Sequence, residues 1–136
     1  MMTITCTVNA GLSVACGGFK LLVDPFPMER VGVFSALTED MLAQALASPA
    51  FQAPDMVFIT HTHRDHYDAA VMRRFLAHWP DARIIMPDAS FPQGLLLNAP
   101  RTLIRNGARL HFSHLLIRAR DMSMYRTTAC CWTWTG

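Results

Sequence analysis

Ile59-Thr60-His61-Thr62-His63-Arg64-Asp65-His66-Tyr67-Asp68 sets three imidazoles and two carboxylates within eight residues, directly after an apolar run. That run, Pro54-Asp55-Met56-Val57-Phe58-Ile59, is short, almost uninterrupted and bounded by Pro, which reads as a buried strand of a covered sheet. His61 and His63 lie just past its end. In a chain that is still extended, residues two apart point to the same side, so both rings can reach one ion. Asp65 and His66 follow where the backbone must turn toward a helix, and adjacent side chains diverging there can reach a second ion. Imidazole suits zinc, iron, nickel and copper, while a carboxylate adds negative charge and can also act on a coordinated water. A polar strand-to-helix loop with surface histidines is the plain alternative, and three His plus an Asp at this spacing weigh against it.

His61-Thr62-His63-Arg64-Asp65-His66 resembles the His-x-His-x-Asp-His signature of the metallo-β-lactamase superfamily at all four defining positions. The resemblance implies that His61 and His63 bind one metal and that Asp65 and His66 bind a second. It implies zinc, one or two ions, with manganese or iron also compatible, and a catalytic role for Asp65 in orienting or deprotonating the attacking water. Upstream, Leu21-Leu22-Val23-Asp24-Pro25 is similar to the strand-ending Asp that supports the metal-binding loop through hydrogen bonds in that superfamily. The implied fold is α/β, the N-terminal half of an αββα sandwich. The implied chemistry is hydrolysis of a carbonyl or phosphoryl group by a zinc-activated water. The scaffold hosts lactones, thioesters, β-lactams, phosphodiesters and redox chemistry by varying its loops, so the small-molecule substrate is not legible. The short approach from Asp55 to His61 and the simple N-terminal half fit the lactonase-like or general hydrolase branches.

Around the signature, strands and helices alternate. Thr3 to Val8, Leu12 to Ala15 and Phe19 to Val23 read as antiparallel strands, with Gly17-Gly18 supplying the positive φ of a tight hairpin. Leu37 to Ser48 reads as a helix capped by Thr38, with Glu39 and Asp40 at the positive end of its dipole. Asp68 caps a second helix over Ala69 to Trp79, whose apolar stripe is Met72, Phe75, Leu76 and Trp79, with Arg73, Arg74 and His78 facing away. Arg83 to Pro87 is another short strand. Residues 88 to 100 read as a loop with one helical turn at Leu95-Leu96-Leu97, and Leu103-Ile104 pairs with Leu110-His111-Phe112 across Asn106-Gly107. His111 and His114 are the only downstream histidines, and both read as structural or incidental.

Composition narrows the function classes. A net charge of +2 over 136 residues, with both signs interspersed, gives no nucleic-acid footprint, which disfavours a nuclease of the same superfamily. No apolar run approaches the roughly 20 residues of a membrane span. Cys6, Cys16, Cys130 and Cys131 have no zinc-ribbon or redox spacing, so reduced thiols in a soluble, cytoplasmic protein are expected.

At 136 residues the chain is short for the fold it resembles, so residues 1–112 read as a truncated domain and 113–136 as an atypical tail. That tail carries two of the four cysteines and two of the three tryptophans in its last seven residues, without a clean helical or strand period. Reading its implied codons one base out of frame forces Val at Met124-Tyr125, Leu at Cys130-Cys131 and Cys131-Trp132, and Asp at Trp132-Thr133 and Trp134-Thr135. The alternative frame can spell His-Val-Asp-Val-Pro-His-Tyr-Cys-Leu-Leu-Leu-Asp, similar to the acid-ended strand that follows the third metal-binding segment in the superfamily. A one-base frameshift near Ser113 is therefore expected, leaving an incomplete active site. A half-sandwich is also expected to expose Val57, Phe58 and their neighbours and to form homo-oligomers. A non-catalytic metal-binding fragment is the rival to a working hydrolase.

Overall fold

The computed structural model describes residues 1–30, 32–33, 35–86, 94–96, 101–105, 108–117 and 125–134. A six-stranded sheet runs in the order β1 (Met2–Cys6), β2 (Leu12–Cys16), β3 (Phe19–Val23), β4 (Met56–Phe58), β5 (Arg83–Met86), β6 (Gly94–Leu96). The first three strands form an antiparallel meander and the last four pair in parallel. Parallel neighbours need a crossover, and the two helices supply it: α1 (Glu39–Ala47) between β3 and β4, α2 (Ala69–His78) between β4 and β5. A second, antiparallel sheet holds β7 (Arg101–Arg105), β8 (Ala108–Ile117) and β9 (Tyr125–Trp134).

Side chains alternate across a strand, and here the two sets serve different layers. Leu22, Val57, Ile59, Ile84 and Met86 join Leu42 of α1 and Val71, Met72 and Phe75 of α2 in one buried cluster. Their neighbours Leu21, Met56, Phe58 and Ile85 face the other way, onto Ala108, Leu110 and Phe112 of β8. Phe58 and Phe112 meet across the sheets with ring centroids 5.2 Å apart. The layers thus run helices, sheet, sheet, which is three of the four layers of an αββα sandwich.

Local chemistry sets the element ends. Thr38 Oγ1 accepts the Met41 N–H at 3.2 Å, and Asp68 Oδ1 accepts those of Ala70 and Val71 at 2.8 and 2.9 Å, so both expected caps are in place. Gly17 and Gly18 turn β2 into β3 with φ of 56° and 81°, as a two-residue hairpin requires. Lys20 Nζ donates to the carbonyls of Pro49 and Gln52 and fastens the turn that leads from α1 to β4.

Two expectations need correction. Val57 and Phe58 are not exposed, because the helices and the second sheet cover both faces of β4. Leu95-Leu96 is not a helical turn: Gly94–Leu96 pairs with β5, the strand before it, as a parallel edge strand, and a three-residue apolar run is too short to reveal that pairing. Residues 88–93 and 97–100 of that stretch lie outside the described residues. The segment after Ser113, which lacks a clean period, nonetheless continues β8 to Ile117 and returns as β9, paired from Ile117↔Tyr125 to Ala108↔Trp134. Tyr125, Thr127, Thr128, Trp132, Thr133 and Trp134 give β9 the β-branched and aromatic content that a pleated surface favours, which outweighs its irregular polarity.

Candidate metal centre

The parallel strands β3 and β4 end side by side, and their ends carry the site. Asp24 directly follows β3; its N–H donates to the Phe58 carbonyl at 3.0 Å, which brings its side chain beside the residues that leave β4. Its φ of 39° lies in the left-handed region that Asp tolerates better than most residues, and Pro25 follows it. Past Ile59 the chain extends through Thr60 to His63 and then turns tightly, the His63 carbonyl accepting the N–H groups of His66 and Tyr67, both at 2.9 Å. That turn delivers Asp65 back toward the two preceding imidazoles.

His61, His63 and Asp65 converge: one ligand atom from each lies within 4.8 Å of the other two. Asp65 is buried, and both imidazoles are half-buried. The His61 and His63 rings meet edge to face with centroids 4.8 Å apart, and the His66 ring lies tilted against His61 with centroids 3.9 Å apart. His66 falls outside the three-residue group but stays beside it, its Nε2 3.6 Å from Asp65 Oδ2. All four residues of the signature therefore lie together beyond the end of β4, with the tight triad made by the first three.

Asp24 underlies them. Only 1% exposed, it accepts from the Thr60 N–H at 2.8 Å, from the Thr60 hydroxyl at 2.5 Å and from His66 Nδ1 at 2.9 Å. Asp24 thus bonds Thr60, which precedes the first histidine, and His66, which ends the signature. The Asp24 hydrogen bond holds the His66 pKa above that of an ordinary imidazole against the opposing effect of burial. His61 moves the other way: burial first, and then the neighbouring His66, push its pKa down. A ligand imidazole must be neutral, and the surroundings of His61 favour that form. Imidazole nitrogens beside a buried carboxylate are a fitting set of donors for a borderline divalent ion.

Sequence reading missed two participants. Thr60, whose Oγ1 also lies 2.9 Å from His61 Nδ1, could have been flagged as a hydroxyl residue between the apolar strand and the first histidine. Arg64, inside the signature, forms an exposed 2.7 Å ion pair with Glu29 and links the loop after β3 to the ligand loop; nothing local in sequence marks that pair. Among the described side chains, His78 and His111 are not part of the triad. His78 is exposed, with Nδ1 3.0 Å from the Arg74 carbonyl, and His111 is exposed, 3.0 Å from Thr102 Oγ1 on the outer face of β8. His114 lies in β8 with its side chain outside the described residues.

The fold recurs in solved structures. A Parabacteroides distasonis protein assigned as a metal-dependent hydrolase superposes with a TM-score of 0.68 at 18% identity over 98% of this chain and 56% of its own. The metallo-β-lactamase fold protein YhfI from Bacillus subtilis gives 0.59 at 16% identity over 93% and 50%. This chain has the metallo-β-lactamase fold. CmlA, a diiron β-hydroxylase from Streptomyces venezuelae, shares that fold with a TM-score of 0.67 at 17% identity over 98% of this chain and 28% of CmlA. The chain spans about half the length of the first two metallo-β-lactamase-fold proteins. No protein-family model matches the chain, and no curated protein matches it. Among the described residues, no helix is long and apolar enough to cross a membrane.

Proposed function

We propose that this chain carries the metal-binding half of a metal-dependent hydrolase acting on a small-molecule ester, lactone or phosphodiester. The observation that carries the reading is the convergence of His61, His63 and Asp65 within 4.8 Å at the end of β4, on a fold shared with metallo-hydrolases. His61 and His63 would hold one ion, and Asp65 with His66 a second. Zinc suits this set of nitrogens and carboxylate, and iron, as in diiron CmlA, is the competing choice. When bound, the ion supplies a Lewis acid that lowers the pKa of a water toward about 7.

The chain's own residues then have separate tasks. The Asp65 carboxylate, held by the turn at His63, orients the attacking water and takes its proton. Thr60 and Asp24 fix the rings from beneath. Ile59 and Phe58, buried behind the loop, keep bulk water off the inner side of the ligands. Catalytic zinc commonly takes three protein ligands besides water, so turnover needs donors from a further segment. In this reading a one-base shift near Ser113 restores that segment, and the protein is soluble and cytoplasmic, with self-association in the short form.

The test is hydrolysis of a panel of lactones, esters and phosphodiesters by the frame-restored, extended protein, loaded with zinc or iron. Metal-dependent turnover abolished by Asp65→Ala is expected, with the 136-residue chain at background. Comparable turnover by the 136-residue chain would overturn the frameshift part of the proposal; no turnover by either form would remove the hydrolase in favour of a non-catalytic metal-binding module.

A further inference from the structure

One carboxylate, that of Asp24, touches His66 directly and reaches His61 through Thr60, and the direction of each hydrogen bond follows from counting protons. Asp24 Oδ2, as a carboxylate oxygen, only accepts. The Thr60 hydroxyl, 2.5 Å from it, must therefore spend its single proton on Asp24. Thr60 Oγ1 then offers His61 nothing but lone pairs. Its 2.9 Å contact with His61 Nδ1 is a hydrogen bond only if that nitrogen carries the hydrogen. The same Oδ2 lies 2.9 Å from His66 Nδ1, which must likewise be the donor.

Resting on the metal-site reading above, we infer that Asp24 and Thr60 form a proton-ordering relay that presents both His61 and His66 to metal through Nε2. Asp24 acts on His66 directly and on His61 through the Thr60 hydroxyl, so Thr60 is a positioning residue rather than a ligand. The relay explains why an Asp is held with φ of 39° at the end of β3: there its Oδ1 takes the Thr60 N–H at 2.8 Å while Oδ2 stays directed at the two side chains. A ring whose second nitrogen is fixed in this way loses little freedom when it binds metal, and disturbing such a partner typically costs about 10- to 100-fold in affinity.

The test compares Thr60→Val, which keeps the β-branched shape and removes the hydroxyl, with Thr60→Ser, which keeps the hydroxyl. Zinc affinity is measured by competition with a chromophoric chelator, and ring tautomers by long-range proton–nitrogen NMR of metal-free protein at a fixed alkaline pH at which both rings are neutral. Wild type is expected to show His61 and His66 with the hydrogen on Nδ1. Thr60→Val should lose that pattern at His61 but retain it at His66, and should bind zinc about 10- to 100-fold more weakly; Thr60→Ser should restore both. A His61 carrying its hydrogen on Nε2 in wild type, or a Thr60→Val variant with wild-type tautomers and affinity, would overturn the relay. If wild type shows the expected tautomers yet binds no zinc, the relay stands and the metal-site reading falls. Should Thr60→Val fail to fold, the wild-type tautomers alone decide.

Discussion

Replacing Asp24 by Asn changes one oxygen to an NH2 and leaves the shape alone, so the loss it causes measures the carboxylate itself. Whichever way the amide faces, one side meets donors. With its oxygen kept on the Thr60 N–H, the NH2 confronts the Thr60 hydroxyl and His66 Nδ1; the hydroxyl can rotate, but the ring N–H cannot become an acceptor without moving its proton. One charge-assisted hydrogen bond, worth about 1.5 to 3 kcal/mol, disappears, and a buried donor is stranded at a cost of about 1 to 3 kcal/mol. With partial relaxation, Asp24→Asn should destabilise the metal-free protein by about 2 to 4 kcal/mol. That is a large share of the roughly 5 to 15 kcal/mol that holds a domain together. Urea unfolding followed by circular dichroism, with wild type and variant compared at equal slope, reads the difference. A loss below about 0.5 kcal/mol would show that these bonds do not carry the loop and would refute the reasoning.

Two further outcomes follow from the packing and the charges. Phe75 is fully buried and packs with Phe26 at a centroid distance of 5.1 Å, so Phe75→Ala should cost about 3 to 5 kcal/mol in the same unfolding assay while leaving the ligand residues chemically intact. In metal-free protein, NMR titration should find His66 protonating at higher pH and His61 at lower pH than an ordinary imidazole near about 6.5. Because the folded pKa of His66 is raised, its contribution to stability is complete below the ordinary value and is lost as pH rises through the raised one. The sign reverses for His61, which costs stability as pH falls below the ordinary value toward its lowered one.

The parts of the fold that the sequence discloses are those governed by neighbours in the chain. Thr38 and Asp68 cap helices through bonds to residues two or three positions on, Gly17-Gly18 closes a hairpin, and the apolar run at Met56–Phe58 needs only its own composition to declare both faces covered. Gly94–Leu96 and β9 each take their place by pairing with the strand before them, and a three-residue strand or a Thr- and Cys-rich one has too little pattern of its own to announce that pairing. The site divides in the same way. His61, His63, Asp65 and His66 are readable because the ligand loop is contiguous, and Asp24 because it ends a strand before Pro25. The role of Thr60 becomes visible only when Asp24, 36 positions earlier in the chain, is placed against it by the parallel pairing of β3 and β4.

The metal site itself is tested most directly by equilibrium dialysis of the 136-residue chain against zinc, followed by elemental analysis of wild type and the double variant His61→Ala, His63→Ala. Zinc retained by wild type and lost from the double variant is the expected result, since the two imidazoles supply two of the three convergent ligand atoms. Equal zinc in both proteins, or none in wild type, would contradict the assignment of this loop as a metal centre.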